Sequence, residues 1–245
     1  MIIYEKPIEY YVRRLKANDY FSLPGYGDAA WICMLNVDGR MGQRTGFGML
    51  MTEETGKKIH KTMQFFDRNY LKAAPKCLNT IFNNGEISNF FNNHPIPIRE
   101  FYERDMILDD LAQGAGLFPL IDQLRKMDIV FVGHPALEGL DFLNIKKFIP
   151  VKFPDFHLDQ EGMDDAVKQC REYGKPAVYL FAAGMSSAMM IAELHDTIPK
   201  SFFIDVGSIF DAFVGIGGQR EWREKLYANP EKLEKWKHDN LYGKS

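Results

Sequence analysis

The chain is poor in cysteine: among its 245 residues only positions 33, 77 and 170 carry one. Cys33, Cys77 and Cys170 form no CxxC pair and have no metal-ligand spacing, which argues against a disulfide framework or a cysteine-built zinc site. So sparse a set reads as reduced thiols in a cytoplasmic protein, or in the host cytoplasm for a phage-encoded one. The six histidines make no HxH or HExxH pattern, which speaks against zinc. No apolar run approaches the ~20 residues of a membrane helix, so no membrane partner is expected. The opening "MIIYEKPIEYYVRRLKAND" is charged throughout and does not read as a signal peptide. Other signatures are missing too. No GxGxxG follows the first strand candidate, no GK[ST] closes a glycine loop, and there is no GxSxG elbow. A dinucleotide oxidoreductase, a Walker-type nucleotidase and a serine hydrolase are therefore disfavoured.

What is present is an ordinary globular composition, 46% hydrophobic and 26% charged, with a net charge of −3. The length leans to one domain, 1–245, ending in a helical segment from about 220. Charge is uneven. Lys57 to Lys76 holds six Lys/Arg against one Asp, while Glu100 to Asp122 holds six acids against Arg104. The basic stretch reads either as a solvated helix face or as a surface for a phosphate-rich partner.

Helices are expected over Tyr4 to Ala17, Ala29 to Leu35, and Thr52 to Tyr70 with Thr52 as N-cap. The second half alternates more clearly. "DIVFVG", "KKFIPVKFP", "PAVYLFAAG" and "SFFIDVG" read as buried strands. "MDDAVKQCREYG", closed by Gly174, and "MSSAMMIAELHDTI" read as helices between them. Strand–glycine–helix alternation predicts an α/β fold with a mainly parallel, Rossmann-like sheet flanked by helices. Ligands of such sheets sit at the strands' carboxyl ends. Those ends carry His134 in "VGHP", Gly184, Met185 and Ser186 in "AAGMSS", and Asp205, Gly207 and Ser208 in "IDVGS".

Each has a sharper and a plainer role. The Gly184–Ser186 turn presents N–H groups to a phosphate, or is simply a tight turn. Asp205 binds a sugar hydroxyl or a metal or acts as a base, or it forms an Asx turn. His134 is a base or a structural hydrogen-bonding residue. Arg104 and Arg220 clamp a phosphate, or are a local ion pair and a plain loop residue.

"GYGDAAW" places Gly27 and the carboxylate of Asp28 in a glycine turn before an apolar run. This resembles the "GDGEW"-type turn of GT-D fold glycosyltransferases. "DIVFVGHPAL", "AVYLFAAGMSSAMMIAEL" and "FFIDVGSIFDAFVG" resemble that family in the same order, from about Tyr20 to Trp222. Its members include bacterial enzymes that extend protein-linked glycans and related phage-encoded proteins. The resemblance implies a GT-D type domain that binds a nucleotide sugar, expected to be uridine-diphosphate-linked. It also implies an Asp-x-Glu motif holding Mn²⁺ or Mg²⁺ against the diphosphate.

Here the motif is Asp28-Ala29-Ala30, without its glutamate. Three readings follow. Asp28 shares a metal with another acid, Asp205 or Asp38. Or Arg44, Arg104 or Arg220 supplies charge in place of metal. Or the chain binds a nucleotide sugar without turning it over. Asp28 and Asp205 are the candidate catalytic residues, and Asp28 the candidate metal ligand. The acceptor is a hydroxyl, of a hydroxymethylated pyrimidine in DNA or of a protein-linked glycan. The helical C-terminus covers the donor site or mediates a homo-oligomer.

Overall fold

The computed structural model describes residues 2–37, 39–46, 48–75, 78, 82, 84–94, 96–97, 100–103, 114–217 and 221–244. Asp38, Cys77, Arg104 and Arg220 lie outside the described residues.

The strands are β1 (Ile2–Tyr4), β2 (Ser22–Leu23), β3 (Ala73–Ala74), β4 (Glu100–Glu103), β5 (Ile129–Gly133), β6 (Ile145–Pro150), β7 (Val178–Ala182) and β8 (Phe202–Asp205). They form two parallel sheets, ordered β1-β4-β3 and β2-β8-β7-β5-β6. Parallel bridges Ser22–Tyr70 and Gly25–Ala73 join β2 to the chain leading into β3. The helices are α1 (Ile8–Ala17), α2 (Asp28–Leu35), α3 (Glu53–Thr62), α4 (Asn84–Asn93), α5 (Phe118–Leu124), α6 (Gln160–Tyr173), α7 (Ser186–Leu194), α8 (Glu221–Tyr227) and α9 (Pro230–Tyr242). The expected α/β fold with a mainly parallel sheet flanked by helices is the fold observed. Among the described residues no helix is long and apolar enough to cross a membrane.

The central strands are apolar on both faces because both faces are covered. Side chains alternate along a strand, so neighbours enter opposite cores. Val130, Val132, Tyr179, Phe181 and Phe203 join one core with Trp31, Ile59, Met163 and Ile191. Ile129, Phe131, Val178, Leu180 and Phe202 join the other with Leu15, Ile121 and Trp236.

Two sequence expectations are corrected. Residues Ile2–Tyr4 are a strand, and the first helix starts at Ile8. The helix expected to reach Tyr70 is capped by Thr52 Oγ1 as predicted, at 3.1 Å from the Thr55 N–H, but it ends at Thr62. The chain must then run back beside β2, where Leu71 N–H donates to Ser22 O at 2.8 Å. The basic stretch does not form one solvated face either. Lys57 and Lys58 pair with Glu53 and Glu54. Lys72 is buried, its ammonium donates to Met63 O, and burial lowers its pKa to about 8.

α2 and α3 cross backbone to backbone at Gly56, where an added Cβ would lie 2.1 Å from Cys33 O. Helix propensity alone predicts that Gly56→Ala stabilises the protein by about 1 kcal/mol. The close approach reverses the sign. We expect Gly56→Ala to lower the free energy of unfolding by about 3 kcal/mol, as overpacking does, in a denaturant titration. A neutral or stabilising result would contradict this packing.

Candidate active site

The turns after β2, β5, β7 and β8 converge on one cleft of about 160 Å³. Gly27 and Asp28 come from the first turn, His134 from the second, Gly184 and Met185 from the third, and Gly207, Ser208 and Asp211 from the fourth. Met49 and Phe153 close the sides, and Ala30 lines the wall beside Asp28. Larger clefts of about 460 and 510 Å³ lie between helices. Volume does not decide the candidate; position does, because the carboxyl edge of a parallel sheet is where loops of independent strands meet.

Backbone conformation makes this convergence possible. Gly184 has φ +60°, and a Cβ there would meet Met49 Sδ at 2.7 Å. Gly207 has φ +49°, and its N–H bonds to Asp205 Oδ1 at 2.8 Å. Asp28 is exposed in the first turn of α2, and α7 begins directly after Met185. Two helix amino ends, whose partial positive charge favours anions, therefore border the cleft.

The other sequence candidates fall around it. Asp205 is buried at the end of β8 and its Oδ1 closes the Asx turn to Gly207, the plainer of its two expected roles. Ser186 is fully buried and is not among the lining residues. His134 lines the cleft, and its Nδ1 accepts from Ala136 N–H at 3.2 Å. A neutral ring then carries its hydrogen on Nε2. Arg44 is not in the cleft wall. It is bonded to Gly48 O and pairs with Asp155 at 2.7 Å. Asp155 also accepts from Leu50 N–H at 2.9 Å, and His157 Nε2 lies 2.7 Å from Leu50 O. Burial works to raise the Asp155 carboxyl, but the Leu50 N–H and Arg44 outweigh it and hold it below its ordinary value. Arg44 thus straps down the loop that carries Met49.

Sequence reasoning missed Asp211 and Arg223. Arg223, on α8, is buried and reaches back to the cleft. It donates to Ser208 O at 2.6 Å, to Ser208 Oγ at 2.8 Å and to Asp211 Oδ2 at 3.2 Å. Burial pushes Asp211 up to about 6, against the lowering pull of Arg223. The signal for Asp211 was present: a lone acid inside "SIFDAFVG" is surrounded by apolar residues. Arg223 carried none, since "REWREK" looks like any solvated helix.

The residues do not fit the expected metal well. Among the described residues, one group of three or more His, Cys, Asp or Glu side chains lies within ligating distance, and it contains neither Asp28 nor Asp205. Ala30 supplies no second carboxylate, Asp205 is turned to Gly207, and Asp211 is committed to Arg223.

No protein-family model and no curated protein matches the chain. Among solved structures it is similar to a domain of unknown function 1792 described as having a distinct glycosyltransferase fold. The identity is 17% over 92% of this chain and 82% of that one, with a TM-score of 0.58. It is also similar to a glycosyltransferase, DUF1792, from Streptococcus sanguinis, at 14% identity over 89% of this chain and 87% of that one, with a TM-score of 0.62. The chain therefore has the fold of a glycosyltransferase of this type.

Asp211 gives a test of the site's electrostatics. Its folded pKa, about 6, lies above the ordinary 3.8, so the folded state holds the proton more tightly. The stability this confers is complete below pH ~4 and is lost as pH rises through ~6. Compared with Asp211→Asn, the wild-type unfolding free energy should decline by about 3 kcal/mol across that window. A difference that is flat with pH would refute the buried carboxyl.

Proposed function

We propose that the chain is a glycosyltransferase that takes a nucleoside-diphosphate sugar, with uridine diphosphate as the expected carrier, and transfers the sugar to a hydroxyl. The observation that carries this reading is the cleft at the carboxyl edge of the sheet, where helix amino ends, Asp28 and the Asp211–Arg223 pair meet. The amino end of α7 suits the diphosphate, because a first helical turn leaves N–H groups without intrahelical partners. Asp28 suits a ribose or sugar hydroxyl, which a carboxylate accepts from. With a pKa of about 6, Asp211 is ionised at neutral pH and suits the general base. The acceptor oxygen then bonds to the anomeric carbon as the bond from that carbon to the diphosphate oxygen breaks. The acceptor proton passes to Asp211, and the diphosphate leaves with the electron pair. No step requires a metal at Asp28.

The acceptor we favour is a glycan-type hydroxyl rather than one on DNA. Two lysines of the basic stretch are paired with acids and a third is buried, so half of its six cationic side chains are already committed within the fold. A DNA acceptor would reveal itself by binding that weakens steeply with salt.

The decisive experiment measures calorimetric binding of uridine-diphosphate sugars and release of nucleoside diphosphate, with and without Mn²⁺. The wild type should bind and turn over without metal, and Asp28→Asn should weaken donor binding. Asp211→Asn should lose 10²- to 10⁴-fold in kcat, together with the limb of the pH–rate profile near 6. Ala30→Glu should bring Mn²⁺ dependence by adding the second carboxylate. Donor binding without release in both wild type and Ala30→Glu would favour the non-catalytic reading that Ala30 first suggests. No binding of any nucleotide sugar would end the proposal.

A further inference from the structure

At the opposite, amino-terminal end of the sheet, β2 begins at Ser22 and His195 caps the carboxyl end of α7. His195 is more than nine-tenths buried, and its ring is gripped by the rings of Tyr70 and Phe65, at centroid distances of 5.0 and 5.7 Å. Its Nδ1 lies 2.9 Å from Ser22 Oγ. Its Nε2 is buried with no hydrogen-bond partner. That atom lies 3.3 Å from Asp196 Oδ2 and 3.7 Å from Asp67 Oδ2. The three donor atoms all lie within 4.8 Å of one another.

We propose that Asp67, His195 and Asp196 bind a first-row divalent transition-metal ion such as Zn²⁺, which pins the loop before β3 to the turn after α7. Three features lead to this. First, the donor spacings suit the ion. Bonds of 2.0–2.1 Å in tetrahedral array set neighbouring donors about 3.3 Å apart. The His195–Asp196 distance of 3.3 Å meets this as it stands, Asp67 lies 3.7 Å from His195, and with all three atoms inside 4.8 Å the two accessible carboxylates have only to close in on the ion. Second, the imidazole is prepared as a ligand. When Nδ1 donates to Ser22 Oγ, the Nε2 lone pair is free, the arrangement that outer-sphere partners impose on metal-bound histidines. Third, two carboxylates held this close repel one another unless a positive charge lies between them. One imidazole with two carboxylates selects a borderline ion over Mg²⁺ or Ca²⁺, which prefer all-oxygen sites. Three protein ligands leave a fourth position for water.

Sequence spacing argued against zinc because it reads only local motifs. This set brings Asp67 to a histidine more than a hundred positions away, with no pattern to betray it. It stands apart from the sugar-transfer reading, since the cleft lies at the other end of the strands.

The test uses the full chain, stripped with a chelator and then titrated with Zn²⁺ alone and with Mg²⁺ alone. Isothermal calorimetry should find one Zn²⁺ site, and saturating Zn²⁺ should raise the melting temperature by roughly 5 °C. Mg²⁺ should do neither at the same concentration. Asp196→Asn and Asp67→Asn should each weaken Zn²⁺ at least tenfold. Asp196 and Asp67 are accessible, and asparagine tolerates the left-handed backbone of position 196, where φ is +61°. Both variants should therefore fold, as circular dichroism would check. Asp28→Asn should still bind Zn²⁺ with unchanged affinity. The proposal falls if Zn²⁺ binding survives both asparagine variants, if it vanishes with Asp28→Asn, or if Zn²⁺ leaves the melting temperature unchanged.

Discussion

The strip from Phe21 to Tyr26 is hydrogen-bonded on both sides, and the site depends on that. On one side Ser22 N–H donates to Asn69 O, Leu71 N–H to Ser22 O, Ala73 N–H to Pro24 O and Tyr26 N–H to Ala73 O, all at 2.8–2.9 Å. On the other side Phe203 N–H donates to Phe21 O, and Ser22 and Leu23 register against Phe203 and Ile204 of β8. Only two of these residues count as strand, yet they weld the two sheets together. Buried backbone groups must find partners, so this strip has little freedom to shift along its neighbours. Its end therefore delivers Gly27 and Asp28 beside the end of β8. Tyr26 locks the delivery: it is fully buried, and its hydroxyl lies 2.9 Å from Thr62 Oγ1. The same strip orients His195 through Ser22 at its other end, so both candidate sites are fixed by one short piece of chain.

Much of this frame could be read from the sequence because burial on both faces leaves a mark. β5, β7 and β8 are nearly unbroken apolar runs, each with a glycine at its end or two residues beyond it. Gly174, with φ +59°, ends α6 where expected. Other elements left no such mark. β2 and β3 are two residues each, too short for a period of two to register. The end of α3 is set by long-range pairing with β2, not by a local breaker. "KTMQFFDRNYLK" contains no glycine or proline, so propensity alone ran the helix on to Tyr70. The cleft was legible for a related reason. Glycines at strand ends announce turns, and turns at the carboxyl edge converge, which brought out seven of its lining residues. Which acid would be buried beside a cation was not legible. Asp205 and Asp211 both sit in one apolar stretch, and only the fold shows that one closes a turn while the other meets Arg223.

Arg223 gives the C-terminal segment a definite physical role. A guanidinium this deeply buried is costly unless its charge is answered. Asp211 and the two Ser208 oxygens answer it, although its Nε finds no partner. Burial leaves the Asp211 carboxyl with a raised pKa, against the lowering pull of the guanidinium beside it. A structural ion pair would serve better with a fully ionised acid, whereas a group that exchanges protons near neutrality serves better in this condition. Trp236 packs on the same side, with its ring 4.7 Å from that of Phe213. The C-terminal helices are thus an integral wall of the region around Asp211.

The alanine at position 30 is consistent with the rest of the cleft. Ala30 is buried on the cleft wall, two positions along the chain from exposed Asp28. A glutamate there would set a second carboxylate against the first in a partly desolvated place. Without a cation each would raise the other's pKa, and the pair would repel a diphosphate. Among the described residues that line the cleft, no lysine or arginine stands ready to offset such a pair. The one buried arginine nearby is already shared between Asp211 and Ser208. With alanine, the acids that face the anion-favouring amino ends of α2 and α7 among the described lining residues are Asp28 and the Arg223-paired Asp211. A motif glutamate calls for a cation beside it, and among the described residues that line this cleft Asp28 has neither a neighbouring glutamate nor a lysine or arginine.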